Sequence, residues 1–422
     1  MAIGPTAEWG IHASERVSEV ARELALAGHK GVGRQKFEGN PRLADLANTG
    51  SELWLDTGDS DQIARLWSAE LRAVTTNNAL VNDAVQTGRL DDALIEAARR
   101  FKQAVPELSQ PNLIYELGFV ANARVALDLV SRFGAQVSVE LHPAVADDVE
   151  GNLVFGRRYF ALCPERFIIK VAMTPDGFLA TKRLGEEKIP VNYTLGFSAR
   201  QNLLATKLSR PRYVNVFLGR LNSVVETNKL GAPELVGERA TLASQREVIS
   251  AQPEKDRRTL QIAASLRNGQ QVVDLAGVDV LTIPPAAVHE FLNRPVEPLR
   301  SRLKEDYPVH LRDTETERRA SALWEVSDSY RAFVEAAVRE AKETWTGRDL
   351  RALARGSGVH DLFREWTAED RAEMRRHGKI PDVGRWPTDA GLDELMTMSG
   401  LEFFAAAQHE LDDRLAQLIA RA

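Results

Sequence analysis

Eight polar residues of the 422-residue chain stand where burial is costly unless it is used: Asp56, Asn77, Glu140, Lys170, Thr194, Arg220, Ser265 and Arg267. Each lies at or just beyond the end of a short apolar run. Lys170 is the most informative, because it closes the run FIIK and is followed by VAM. Desolvation favours the neutral form of an amine, and a neutral amine can attack a ketone to form a Schiff base, an electron sink for carbon–carbon cleavage. On residue type alone, a salt-bridged or snorkelling structural lysine stands beside that reading. Each arginine taken singly also reads as half of a surface ion pair.

The runs that must position these residues are ELWLD at 52–56, RAVTTN at 72–77, AQVSVEL at 135–141, RFIIKVA at 166–172, IPVNYT at 189–194, RYVNVFL at 212–218, TLQIAAS at 259–265 and VDVLTIP at 278–284. They are nearly continuous in apolar residues, as strands covered on both faces should be, and helical stretches separate them. One such stretch, PNLIYELGFVANARVALDLVSRFG, opens with proline and stops at glycine. Eight strands alternating with helices predict an α/β fold, a closed (β/α)8 TIM barrel, with a doubly wound open sheet as the alternative. Polar residues repeated at strand ends favour the barrel, whose active sites are built on that rim.

Around this core, 51–294, residues 1–50 read as an N-terminal helical extension and 295–422 as a charged, helical C-terminal layer, all in one domain. KGVGR at 30–34 lacks the strand, the spacing and the Lys-Ser/Thr of a phosphate loop, so it reads as a linker. RDTETERRA and TAEDRAEMRRHGK read as solvated helix faces, with Thr367 and Asp370 spaced as a capping box. In the last helix Leu401, Phe404, Leu411, Leu415 and Leu418 form one stripe, expected to pack on the barrel, with a homodimer seam as the other reading. Asp59 is expected to cap a helix, and His142 to pack at the rim.

Composition narrows the function class. The chain is 44% hydrophobic and 27% charged, with a formal net charge of -6 and one cysteine, Cys163. A lone cysteine rules out an intrachain disulfide, and neither a signal peptide nor a long apolar span is evident, so a cytoplasmic protein with no membrane partner is expected. Mixed charges of slightly acidic balance give no field for nucleic acid, and an anionic substrate would need a local basic cluster. The eight histidines show no HExxH or comparable spacing, so no metal is expected, and no GxGxxG follows a strand to mark a nucleotide cofactor.

LWLDTGD, AVTTNNAL, VSVELH, FIIKVAMT, VNYTLGFS, VFLGRL and AASLRN occur in the order and at roughly the spacing of the strand motifs of the transaldolase family, which this chain resembles from near Arg42 to the C-terminus. The resemblance implies that Lys170 forms the Schiff base and that Asp56 handles the donor hydroxyl proton. It further implies that Glu140 and Thr194 hold a catalytic water, and that Asn77 and Asn192 hydrogen-bond donor hydroxyls. Arg220, Ser265 and Arg267 match the family's phosphate site, and no cofactor is implied. Glu140 and Phe217 are of the transaldolase type, where related fructose-6-phosphate aldolases place glutamine and tyrosine. The implied activity is transfer of a dihydroxyacetone unit between sugar phosphates of the pentose phosphate pathway.

Three departures from the family pattern concern the donor pocket. Asn77, Asn78 and Ala79 stand where the family usually has asparagine–proline–serine; Asn215, Val216 and Phe217 replace serine–proline–phenylalanine; Ala172 follows Val171 where proline is common. Asn215 is expected to bond a substrate hydroxyl with greater reach than serine. The alternatives are therefore a transaldolase-like enzyme for another sugar phosphate or a sulfosugar, or a non-catalytic sugar-phosphate-binding barrel.

Overall fold

The apolar runs become eight short parallel strands: β1 Glu52–Asp56, β2 Leu71–Thr75, β3 Gln136–Glu140, β4 Phe167–Ala172, β5 Val191–Thr194, β6 Tyr213–Phe217, β7 Leu260–Ala264 and β8 Val280–Ile283. In the computed structural model, which describes residues 9–252 and 258–422, they close into a barrel in sequence order, β8 pairing with β1. The chain is thus a (β/α)8 barrel with helical extensions. Its strands are almost wholly buried because helices cover the outer face and side chains fill the inner one. Trp54 and Tyr213 meet edge to face inside it, ring centroids 4.8 Å apart.

Helix boundaries follow local chemistry. Helix Gln110–Phe133 begins after Ser109, whose hydroxyl accepts from the Asn112 N–H, and ends at Gly134 in the left-handed region, φ 65°. Asp59 accepts from the amides of Asp61 and Gln62 to start the helix after β1. Thr367 and Asp370 form the reciprocal capping box expected of them.

The N-terminal extension, whose residues 1–8 lie outside the described part, contributes helices Gly10–Ala13, Glu15–Leu26 and Pro41–Ala47. Between them the KGVGR segment is irregular, and Gly33 donates its N–H to the Val130 carbonyl at 3.0 Å. Buried His12 meets Glu116 at 2.6 Å, and Arg158 grips the same carboxylate at 2.6 and 2.8 Å, fastening the extension to helix Gln110–Phe133.

The C-terminal part departs from expectation at its start. Residues 295–313 form no helix, since Pro295, Pro298 and Pro308 withhold backbone donors. Helices Thr314–Ser321, Asp328–Glu340, Gly347–Gly356 and Ala368–His377 follow, and then the long helix Leu392–Ala420. The last begins nine residues before its expected stripe, and most of its first third is buried on every side. Leu401, Phe404, Leu411, Leu415 and Leu418 are all buried, and the helix packs on barrel helices Asn78–Gln86, Asp91–Ala104 and Gln110–Phe133. No helix among the described residues is long and apolar enough to cross a membrane.

Leu415 is fully buried, with its methyl against Gly118 of helix Gln110–Phe133. Leu415→Ala is therefore expected to cost about 2–4 kcal/mol and lower the urea midpoint, as equilibrium denaturation will show.

Candidate active site

Parallel register places the reactive groups side by side. Glu140 on β3 is paired with Lys170 on β4, and Lys170 with Asn192 on β5, so the three occupy one level of the barrel. Lys170 lies two residues inside the end of β4 and is 4% exposed. Its Nζ donates to the Thr76 carbonyl at 2.9 Å and stands 3.8 Å from Glu140 Oε2. Asp56, at the end of β1, accepts from Thr75 Oγ1 at 2.9 Å, and Thr75 in turn meets Thr282 Oγ1 at 2.7 Å.

Burial pushes both carboxyls above their ordinary values. For Asp56, Lys170, the Thr75 hydrogen bond, Arg267 and Arg220 pull the other way without cancelling the effect. For Glu140 the opposing groups are Lys170, the Asn78 amide, Thr194 and Arg220. Asn78 donates its backbone N–H to Glu140 Oε2 at 3.2 Å, a bond that proline at this position could not make. Thr194 places its hydroxyl beside Glu140, close enough to favour the carboxylate, yet in hydrogen-bond geometry with no described residue.

The three amides differ in what they have to offer. Asn192 donates to Ser138 Oγ at 2.9 Å, which leaves its buried Oδ1 without a described partner. Asn77 accepts from the Leu80 N–H at 3.0 Å as a helix cap while still lining the cavity. Asn215 also lines it, but its carboxamide is engaged at both ends: Nδ2 donates to the Tyr193 carbonyl, and Oδ1 accepts from the Gly196 N–H at 3.0 Å. Its extra reach over serine is spent on tying β5 to β6.

The far end of the cavity is cationic and aromatic. Arg220, in the first turn of helix Leu218–Thr227, has its guanidinium 5.1 Å from the Phe217 ring centroid, 5.7 Å from that of Phe403 and 5.2 Å from that of Phe404. Burial, then neighbouring Arg267, push it down to about 10, against the pull of Glu140 and Asp56. Arg220 Nη1 is buried with no described partner. Ser265 adopts φ 64°, and Gly219 lets the two loops meet, since a side chain there would strike the Ser265 carbonyl and approach Arg267 Cγ to 2.8 Å. Neither Arg220 nor Arg267 has a carboxylate within ion-pair distance among the described residues.

Asp56, Asn77, Lys170, Asn192, Asn215, Phe217, Arg220, Ser265 and Arg267 thus line one cavity of about 210 Å³, while Glu140 and Thr194 face a smaller space beside it, with Phe404 a wall of both. An amine, two carboxylates and a hydroxyl at one end can move protons about a carbonyl; cations at the other can hold an anion. Thr75, Thr282, Lys379, Phe403 and Phe404 also line the larger cavity. Lys379 belongs to the TAEDRAEMRRHGK segment expected to be solvated; its helix instead ends at His377, Gly378 turns the chain with φ 69°, and Lys379 reaches the mouth. The lone hint in the sequence is the glycine that stops the helix.

Against known proteins, the family model described as Transaldolase/Fructose-6-phosphate aldolase matches residues 53–345, which include nearly all of the barrel and every barrel residue named above. The chain is 32% identical over 249 residues to a probable transaldolase of Thermus thermophilus, covering 58% of this chain and 92% of that protein. A transaldolase of Prochlorococcus marinus is 29% identical over 261 residues, 60% of this chain and 76% of the relative. A probable transaldolase of Dictyostelium discoideum is 25% identical over 287 residues, 66% and 87% respectively.

The raised Glu140 carboxyl has a consequence for stability. A group that holds its proton more tightly in the native state adds stability below its ordinary value of 4.5, and that stability is lost as pH rises through the higher folded value. Glu140→Gln removes the ionisation. The difference in Tm, variant minus parent, is therefore expected to grow between about pH 4 and about pH 8 in thermal melts; a constant or shrinking difference would show that burial does not dominate at Glu140.

Proposed function

The chain belongs to the transaldolase/fructose-6-phosphate aldolase family, and on that footing we propose that it moves a dihydroxyacetone unit from fructose 6-phosphate or sedoheptulose 7-phosphate to glyceraldehyde 3-phosphate or erythrose 4-phosphate. These are the interconversions of the pentose phosphate pathway. The observation that carries the proposal is a single cavity with buried Lys170 at one end, 3.8 Å from Glu140, and at the other Arg220 and Arg267, neither in an ion pair among the described residues.

In this mechanism the Lys170 amine adds to the ketone, and the carbinolamine loses water while Glu140, through a water held with Thr194, exchanges the protons. Asp56 takes the proton from the hydroxyl on C4, the C3–C4 bond breaks, and its electron pair flows into the iminium to give an enamine. An aldose phosphate departs. The enamine carbon then attacks the incoming aldehyde, Asp56 returns its proton to the new alkoxide, and hydrolysis frees Lys170. Asn192, with its free carbonyl oxygen, and Asn77 hold the hydroxyls of the three-carbon unit, whereas Asn215 serves the backbone.

Transfer rather than simple cleavage is supported by Phe217, which brings no hydroxyl into the cavity, and by the cover that Phe403 and Phe404 place over it. An enamine shielded from bulk water survives until an aldehyde arrives. Remote binding of the phosphate orients the reacting carbon over the amine.

With fructose 6-phosphate and erythrose 4-phosphate together, sedoheptulose 7-phosphate and glyceraldehyde 3-phosphate should form; with fructose 6-phosphate alone, dihydroxyacetone should not accumulate. Steady release of dihydroxyacetone without an acceptor would contradict transfer. Lys170→Ala is expected to lower kcat by about a thousandfold or more with the circular dichroism spectrum retained. Arg267→Ala should act mainly on KM for phosphorylated substrates, raising it about tenfold or more, the size of a lost charge-assisted contact.

A further inference from the structure

Three cations converge on the mouth of the cavity, and one of them comes from outside the barrel. Arg220 and Arg267 belong to the loops after β6 and β7; Lys379 belongs to the C-terminal part, beyond the residues that the family model matches. The Lys379 ammonium lies 5.9 Å from the Phe403 ring centroid, and the same ring stands 5.7 Å from the Arg220 guanidinium, so the two cations share one aromatic wall. None of the three has a carboxylate within ion-pair distance among the described residues, although most arginines of the C-terminal part do, Arg371 and Arg375 on Glu402 among them.

Uncompensated like charges around a shared space repel one another, and an anion between them relieves that repulsion. The fold nonetheless fixes the backbone just after Lys379. Asn228, just beyond the helix that Arg220 begins, donates Nδ2 to the Pro381 carbonyl at 3.0 Å and accepts from the Val383 N–H at 2.8 Å. This two-point clamp ties the 378–383 turn to the element that carries Arg220. Lys379 stays exposed at the rim, and partial desolvation, then Arg267 and Arg220, push its ammonium below its ordinary value. Arg220 is itself wedged between barrel and tail, since a Cβ added at Gly400 of helix Leu392–Ala420 would stand 2.9 Å from its Nη1.

We propose that Lys379 is the third cation of an anion site that closes between the barrel and the C-terminal part, selecting dianionic phosphate esters over neutral sugars. The proposal rests on the sugar-phosphate reading above. It makes the C-terminal part a specificity element: the phosphate lies between Arg220 and Arg267 below and Lys379 above, while the neutral end of the substrate is left to the barrel.

The test uses the full chain and two readouts. Calorimetric titration with inorganic phosphate should show about tenfold weaker binding to Lys379→Met than to the parent, with Lys379→Arg close to the parent. In transfer assays at saturating fructose 6-phosphate, Lys379→Met should raise KM for glyceraldehyde 3-phosphate by a similar factor, with kcat and the rate with unphosphorylated glyceraldehyde unchanged. Unaltered phosphate affinity, or equal losses with both acceptors, would overturn the proposal. If the parent protein binds inorganic phosphate but transfers nothing between sugar phosphates, the transfer reading fails while the titration still judges Lys379.

Discussion

A lysine side chain buried against carboxyl groups inside a closed sheet is the constraint from which the rest of this molecule follows. Lys170, 4% exposed, is held by the Thr76 carbonyl and faces Glu140 at 3.8 Å. Burial raises the Glu140 and Asp56 carboxyls, and Lys170 is the strongest opposing influence on both. Strand register is the means by which the chain sets the spacing, since Glu140, Lys170 and Asn192 are paired across β3, β4 and β5.

The second requirement is charge separation along the cavity. Proton-moving groups cluster at the barrel interior, whereas cations cluster at the mouth, so a substrate with an anion at one end and a carbonyl at the other can be held in only one direction. Helix Leu392–Ala420 completes the arrangement by laying Phe403 and Phe404 over Arg220. The guanidinium is thereby desolvated without being neutralised, which strengthens its attraction for an incoming anion.

The barrel is legible in the chain because the strands are short apolar runs, most of them carrying β-branched residues, and all eight fall within a residue or two of the expected positions. Caps at Asp59 and Thr367 are equally local, and so equally readable. Asp56, Glu140 and Thr194 stand out because a polar residue at the end of an apolar strand has few reasons to be there. What escapes the sequence is tertiary. Lys379 and Phe403 reach the cavity only because the tail crosses the mouth, more than a hundred residues after β7. Asn215 is readable as an amide in the pocket, but its two backbone partners, on Tyr193 and Gly196, arise from the packing of β5 on β6. The His12–Glu116–Arg158 cluster joins residues 104 and 42 positions apart and leaves no local signature.

The central claim, that the Lys170 amine bonds covalently to the substrate, is tested most directly by borohydride reduction in the presence of fructose 6-phosphate, followed by peptide mass spectrometry. The account predicts a reduced three-carbon adduct on the peptide carrying Lys170, absent without the sugar. A folded protein that binds the sugar yet carries its adduct on another lysine, or none at all, would contradict it.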